Sequence, residues 1–480
     1  MPEFHPSFEF RRGKLQILAI QLRGIATKGN PMHGRLFCLV VTCFIATSSW
    51  PVLAEDWPQW RGPNRDGVWQ VEGVLDELPQ GQLDLEWSVE IGPGYNGPTV
   101  AEGRVYVMDR QTENGETERI LCLNSKTGEL VWKHEYPVNY RIGYKAGPRA
   151  SVTIHDGRAY AVGAMGHFHC LDAAKGNVLW QRDLNEEYAI EMPIWGIAAS
   201  PLIYQDLVIQ QVAGSDGATM VGFRTEDGQE AWRSLSERAG YASPVLIQQG
   251  ERDVLVCWTG ESLSGLNPKS GKVLWAHRME PIKMPIGIAT PAVHKDLIFV
   301  SSFYDGSLLV RRNDESVSTE LVWRARGQSE RNTGTDRTET PGGVNLSEAD
   351  VFGVHAMIGT PIVKDGFIYA VDSYGEFRCL EAKTGKRVWE DTTAVPRNRW
   401  ATIHMVEQGE RVWMFNEAGE LMIAQLSPEG LKILSRAQLI EPTRVQLARR
   451  EGVCWSHPAY AEKSVFARND NRIVRASLAK

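Results

Sequence analysis

Leu123-Asn-Ser-Lys-Thr-Gly128-Glu-Leu-Val-Trp132 is a phrase that the chain writes repeatedly. It returns as Leu171-Asp-Ala-Ala-Lys-Gly176-Asn-Val-Leu-Trp180 and as Phe223-Arg-Thr-Glu-Asp-Gly228-Gln-Glu-Ala-Trp232. Two further copies are Leu266-Asn-Pro-Lys-Ser-Gly271-Lys-Val-Leu-Trp275 and Leu380-Glu-Ala-Lys-Thr-Gly385-Lys-Arg-Val-Trp389. Weaker copies end at Trp323, where the glycine is missing, and at Leu434, four residues after Gly430. Each copy reads as two strands joined by a glycine turn, the second strand carrying a large flat ring.

A second phrase precedes each copy: a small residue and proline, an alternating strand, a tight turn and another strand. Gly97-Pro98-Thr-Val-Ala-Glu-Gly-Arg-Val-Tyr-Val and Thr360-Pro361-Ile-Val-Lys-Asp-Gly-Phe-Ile-Tyr-Ala are examples. Equivalent starts fall at Ser151, Pro201, Pro244, Pro291, Thr402 and Pro458, which makes eight. The turns Glu102-Gly103, Asp156-Gly157 and Asp365-Gly366 suit two-residue hairpins, where glycine accepts positive φ. Each unit therefore predicts four short antiparallel strands, and units of about 53 residues at this spacing predict an all-β, eight-bladed β-propeller. The eighth unit stops without its tryptophan strand. Leu83-Asp-Leu-Glu-Trp87-Ser-Val supplies one from the other end, so the two chain ends are expected to close one blade and remove two sheet edges. A seven-bladed ring is the alternative, in which the weak unit around Val412–Leu434 is not a blade.

The chain has 480 residues and 16 tryptophans, and this repeat accounts for seven of them. Trp87, Trp132, Trp180, Trp232, Trp275, Trp323 and Trp389 share one slot, where an indole can wedge between neighbouring sheets. A formal charge of −7 argues against a general nucleic-acid binder. No run of 18 uncharged apolar residues occurs, which excludes a polytopic membrane protein. Residues 36–46 are apolar, His33 and Arg35 precede them, and Val52-Leu53-Ala54 follows. This is the pattern of a cleavable secretory signal, with Met32 as the expected true start. The domain reading is thus an extension and signal over 1–54 and one propeller over 55–480, interrupted by a polar insertion at 327–354. The mature protein is expected to be exported or periplasmic, monomeric and without a membrane span.

These phrases resemble the PQQ-like β-propeller repeat, PQQ being pyrroloquinoline quinone. The Lys-Thr-Gly-x-x-x-Trp element is similar to the tryptophan-docking motif of that superfamily, over nearly all of the mature chain. Asp56-Trp-Pro-Gln-Trp-Arg-Gly-Pro-Asn-Arg-Asp66-Gly resembles the opening of exported PQQ-like propellers common in planctomycete-type bacteria. The superfamily includes quinoprotein alcohol dehydrogenases and the BamB-type scaffold of outer-membrane protein assembly. The repeat is a packing device, so it implies the fold and leaves activity to be argued from a site.

Tests for chemistry are mostly negative. The adjacent cysteine pair of the alcohol dehydrogenases is missing, and no Cys-x-x-Cys-His marks a covalent haem. Cys122, Cys170 and Cys379 fall in one repeat slot and read as small buried side chains. Cys257 and Cys454 belong to distant blades, so no disulfide is expected. His167 and His169 share a strand face and are half of a zinc site at most; the equivalent slots hold Glu376 and Arg378, and no metal ligand set is assigned. No nucleophile elbow, zinc-protease helix or phosphate loop occurs.

The loops that lead into each first strand are richer. They carry Tyr95 and Asn96, then Tyr144, Lys145 and Arg149, then Trp195, Tyr241, His355, Arg399, Trp400, Trp455 and His457. Such loops gather around the central channel. They predict either a funnel for an anionic or planar ligand, with stacking and Arg pairing, or a plain aromatic plug. The expected function is a non-catalytic binding or assembly scaffold that takes a protein, peptide or polymer on its loop face. The alternative is a dehydrogenase of an alcohol or sugar that uses PQQ and calcium.

Overall fold

A computed structural model describes residues 56–326, 337–339, 353–448 and 450–480. The signal segment, Met32 and all of the 327–354 insertion except residues 337–339 and 353–354 lie outside the described residues. Eight antiparallel sheets form one propeller ring. Blade 1 illustrates the order, from the axis outward: Thr99–Ala101, Arg104–Gln111, Thr117–Asn124 and Leu130–Pro137. Blade 5 adds a fifth strand, Arg337–Glu339, on its outer edge. Blade 8 is closed as the sequence predicts, by Leu85–Glu90 pairing with Arg472–Ser477. The seven-bladed alternative is excluded, because Ile403–Gln408, Arg411–Asn416, Glu420–Ser427 and Gly430–Gln438 form a complete sheet. No helix among the described residues is long and apolar enough to cross a membrane.

A β-bulge recurs in the outermost strand pair of every blade. Trp132 faces Cys122 while Leu130 faces Leu123, so Val131 is left unpaired. The same slip sets Trp180 opposite Cys170, Trp232 opposite Gly222 and Trp389 opposite Cys379. A bulge turns the following side chain and sharpens the local twist. Here it sends the indole sideways, towards the next blade. Trp87, Trp132, Trp180 and Trp232 each donate Nε1–H to a backbone carbonyl there: Ser125, Ala173, Thr225 and Pro268, at 2.9–3.0 Å. Trp323 and Trp389 do the same to Ala382 and Ser427. Blade 5 lacks the turn glycine, and Trp275 bonds Gln249 Oε1 instead. In blade 7 the register places Ser435 in the slot, opposite Ile423, and makes Leu434 the bulged residue. The expectation that Leu434 ends that copy is therefore off by one.

The small residues opposite the indoles follow from this geometry. A Cβ on Gly222 would lie 2.5 Å from the Trp232 ring. Cys122, Cys170 and Cys379 take the same place, and these three are buried and free, as are Cys257 and Cys454.

Residues 56–69 form a strap along the inner strands. Trp57 pairs with Val100 of blade 1, the Pro58 carbonyl accepts from Ile154 N–H of blade 2, and Trp69 N–H donates to Glu407 of blade 7. Arg65, 3% exposed, donates to the carbonyls of Ser200, Pro201 and Pro244 in blades 3 and 4. Burial pushes its guanidinium down to about 9. Arg65→Met strands the buried carbonyls of Ser200 and Pro244 and leaves Pro201 with its bond from Thr153 Oγ1 alone, and is expected to destabilise by about 1–3 kcal/mol. An unchanged urea midpoint would show that the strap is held by its apolar contacts alone.

Candidate functional site

All eight interblade connections converge on one axial cavity, whose void is about 850 Å³ with its mouth included. Tyr95 comes from the connection between blades 8 and 1, Tyr144 and Arg149 from the next, then Trp195 and Tyr241. Ile288, then Met357 and Ile358, then Trp400 and His404, then Trp455 and His457 complete the circuit. Apart from the aliphatic stretch at Ile288 and Met357, the wall is a relay of rings. Tyr241 and Trp195 lie 5.1 Å apart, Trp195 and Tyr144 6.0 Å, Tyr144 and Trp400 5.8 Å. Trp400 and Trp455 follow at 6.4 Å, and Trp455 and Tyr95 at 6.5 Å. These separations are those of mutually packed aromatic pairs. Tyr144 and Trp400 both hold positive φ, at 53° and 69°. Such backbone is costly for a bulky residue and brings the two rings together over the axis.

The inner end is made by the strap. Trp60 donates Nε1–H to Thr290 Oγ1 at 2.7 Å and packs edge-on against His457 at 4.2 Å. His457 lies 2.8 Å from Ser151 Oγ through Nε2 and 3.2 Å from the Pro458 carbonyl through Nδ1. His404 Nε2 lies 2.8 Å from the Trp455 carbonyl. A carbonyl only accepts, so His404 carries its proton on Nε2. Burial holds His404 down at about 4 and His457 well below the usual imidazole range. Both rings are neutral at pH 7.

Four of the residues expected at the funnel, Asn96, Lys145, His355 and Arg399, do not border the cavity. Asn96 is fully buried and clamps its own loop, donating to Met108 O at 2.7 Å and accepting from Met108 N–H at 3.0 Å. His355 is buried beside the Phe303 carbonyl, and its backbone N–H donates to Asp372. Arg399 lies over Phe303 and Trp400 at 5.2 and 5.1 Å and reaches Tyr304, outside the cavity. Arg149 does border the cavity, yet its terminal nitrogens bond the carbonyls of Gly143, Tyr144 and Gly147. Its face covers Tyr95 at 4.8 Å. The expected Arg pairing with an anion is replaced by a guanidinium that staples the Tyr144 loop. Trp60 and His404 are among the lining residues that the sequence reading missed, with Ala198, Ser200, Ser243, Ile288, Met357 and Ile358. Trp60 sits in the quoted Asp56–Asp66 stretch, which was the one available signal; His404 looks like any alternating strand residue.

A calcium-bound quinone does not fit this lining. Calcium takes six to eight oxygen ligands, carboxylates among them, and no Asp or Glu borders the cavity. Glu417 approaches most nearly, behind Trp455, where it accepts from Trp455 Nε1–H and from Arg450. Among the described residues no group of three or more His, Cys, Asp or Glu is placed to hold a metal ion. His167 and His169 pack on Tyr136 between blades 1 and 2.

The family profile described as "Outer membrane protein assembly factor BamB" matches residues 116–391. The outer membrane protein assembly factor BamB of Yersinia pestis is 23% identical over 296 residues, 58% of this chain and 64% of the relative. The quinohemoprotein alcohol dehydrogenase of Comamonas testosteroni is 23% identical over 199 residues, 40% of this chain and 26% of the enzyme. Both alignments span less than two thirds of the relative's own length. The crystal structure of BamB from Moraxella catarrhalis superposes with a TM-score of 0.53 at 15% identity, over 82% of this chain and 99% of that one. That likeness concerns the fold. With the profile covering more than half of the sequence, the protein belongs to the PQQ-repeat β-propeller family that the outer membrane protein assembly factor BamB describes.

Proposed function

We propose that the protein is an exported, non-catalytic scaffold that holds a partner protein, peptide or polymer on its loop face, with the axial funnel as the anchor. The observation that carries this reading is the ring relay from Tyr241 to Tyr95, presented by rigid blades. Aromatic side chains offer large contact area at little entropic cost and dominate interface energetics. Arg149, the cation that borders it, has its terminal nitrogens bonded to backbone carbonyls. Its relatives named for outer membrane protein assembly favour the same reading.

The test is a displayed random-peptide library panned on the protein, followed by affinity measurement with Trp195→Ala/Trp400→Ala. The double variant is expected to lose at least tenfold in affinity for the selected peptides, about 1.4 kcal/mol or more. Equal affinity would remove the funnel from the function.

Similarity to the Comamonas testosteroni enzyme favours a second reading, a PQQ-dependent dehydrogenase. Adding PQQ with Ca²⁺ separates the two. No change in Tm or in the quinone absorption band is expected; a clear shift in either would make the enzyme reading the better one.

A further inference from the structure

We propose that the funnel selects an uncharged, flat aromatic group bearing a hydrogen-bond donor on its edge, seated with that donor on Nδ1 of His404. This rests on the loop-face reading and names the chemistry that it recognises. Size comes first. The cavity offers about 130 Å³, close to the roughly 150 Å³ apolar cavity that accommodates one benzene ring. A single ring matches that volume.

Charge comes second. The lining carries no carboxylate, and its one cation, Arg149, has both terminal nitrogens on backbone carbonyls. An anion brought in would lose its hydration without gaining a free cation to pair with, which is costly in an apolar site. A cation would meet no counter-charge. A neutral ring has only its faces to satisfy, and the wall supplies aromatic and aliphatic surface for them.

Hydrogen bonding comes third. A neutral imidazole has one donor nitrogen and one acceptor nitrogen. His404 gives its donor to the Trp455 carbonyl, which leaves Nδ1 a lone-pair acceptor on a ring that borders the cavity. His457 differs: both of its nitrogens have partners, Ser151 and Pro458. Trp60 Nε1 is likewise bonded, to Thr290. Among the ring nitrogens of the lining, His404 Nδ1 is therefore the acceptor that a bound donor would satisfy. Phenol and indole rings carry such a donor; a phenyl ring does not. The source of the ring is either a tyrosine or tryptophan side chain of a partner polypeptide or a free small aromatic.

The experiment measures binding of 4-methylphenol, toluene and 4-methylbenzoate to the full-length protein by competition and calorimetry. 4-Methylphenol is expected to bind at least tenfold more tightly than toluene, and 4-methylbenzoate more weakly than both. His404→Phe is expected to abolish the phenol-over-toluene preference while toluene still binds; His404→Asn, which keeps an acceptor, is expected to retain part of it. A preference unchanged in His404→Phe, or 4-methylbenzoate bound best, overturns the inference and leaves the scaffold reading standing. If selected peptides bind the loop face and no ring probe does, the inference again falls alone. If neither binds, both readings fall. The pentapeptide Gly-Gly-Trp-Gly-Gly against indole settles the source: tighter binding of the peptide assigns a polypeptide, and tighter binding of indole a free aromatic.

Discussion

Trp180→Ala is expected to destabilise the protein by about 3–5 kcal/mol, with no effect on binding at the funnel. Trp180 sits on the outer strand of blade 2, 8% exposed, and touches two blades at once. Within blade 2 it packs on Phe168 at 5.2 Å and Tyr160 at 6.1 Å. Across the gap its Nε1–H donates to the Thr225 carbonyl at 2.9 Å, and its ring lies over Gly228 of blade 3. Truncation therefore opens a cavity between sheets and removes one of the two hydrogen bonds that the Thr225 carbonyl accepts, the other coming from Arg158 at 2.7 Å. Trp180→Phe separates them: it keeps most of the packing, loses the hydrogen bond, and is expected to cost less. Gly228→Ala probes the other partner. Gly228 holds φ +72°, and a Cβ there would lie 2.7 Å from the indole, so this substitution is expected to destabilise although it adds only a methyl group. Urea midpoints of the three variants check the set, and an unchanged midpoint for Trp180→Ala would sink the wedge.

The fold was legible because its packing device is written in the sequence. Indole and turn glycine meet across the gaps at Trp87 and Gly128, Trp132 and Gly176, Trp180 and Gly228, Trp232 and Gly271, and Trp323 and Gly385, so the phrase that repeats is also the contact that repeats. Reading failed where the local geometry changed. Gly430 pairs with Ser427, so the blade 7 turn is two residues long, and counting four residues on from its glycine lands on the bulge at Leu434. The site was legible only as far as loops announce themselves. Tyr95, Trp195, Tyr241, Trp400 and Trp455 stand at connections between strands, and the ring geometry gathers them. Trp60 reaches Thr290 across 230 positions, a contact that no local pattern encodes. Arg149 was legible as a cation near the mouth. That its guanidinium folds back on the carbonyls of its own loop depends on a turn with positive φ at Tyr144, which spacing does not reveal.

Stability is expected to fall by several kcal/mol between pH 7 and pH 5, and three buried imidazoles are the cause. Burial is the largest influence on each. It holds His404 at about 4 and His169 at about 3, and puts His457 well below the usual range. The neighbours act in both directions. The Trp455 carbonyl raises His404 and Arg61 lowers it; His404 and Arg61 lower His457 and the Pro458 carbonyl raises it; His134 and His167 lower His169. An unfolded histidine titrates near 6.5. Below that pH the unfolded chain takes up protons that the folded rings refuse, so acid favours unfolding. The stabilisation is complete above pH 6.5 and is lost progressively as pH falls towards the folded values. For a ring held near 4, the loss by pH 5 is on the order of 2 kcal/mol. Buried Glu417, whose carboxyl is raised by burial, works the other way over the same range. A variant isolates the imidazole part. His169 packs on Tyr136 at 4.3 Å, and its Nδ1 has no hydrogen-bond partner, so His169→Phe keeps the ring contact and removes the titration. Urea midpoints of the wild type from pH 8 to pH 5 are expected to slope downward, and those of His169→Phe to slope less. Parallel slopes for the two proteins would assign the acid sensitivity to other groups.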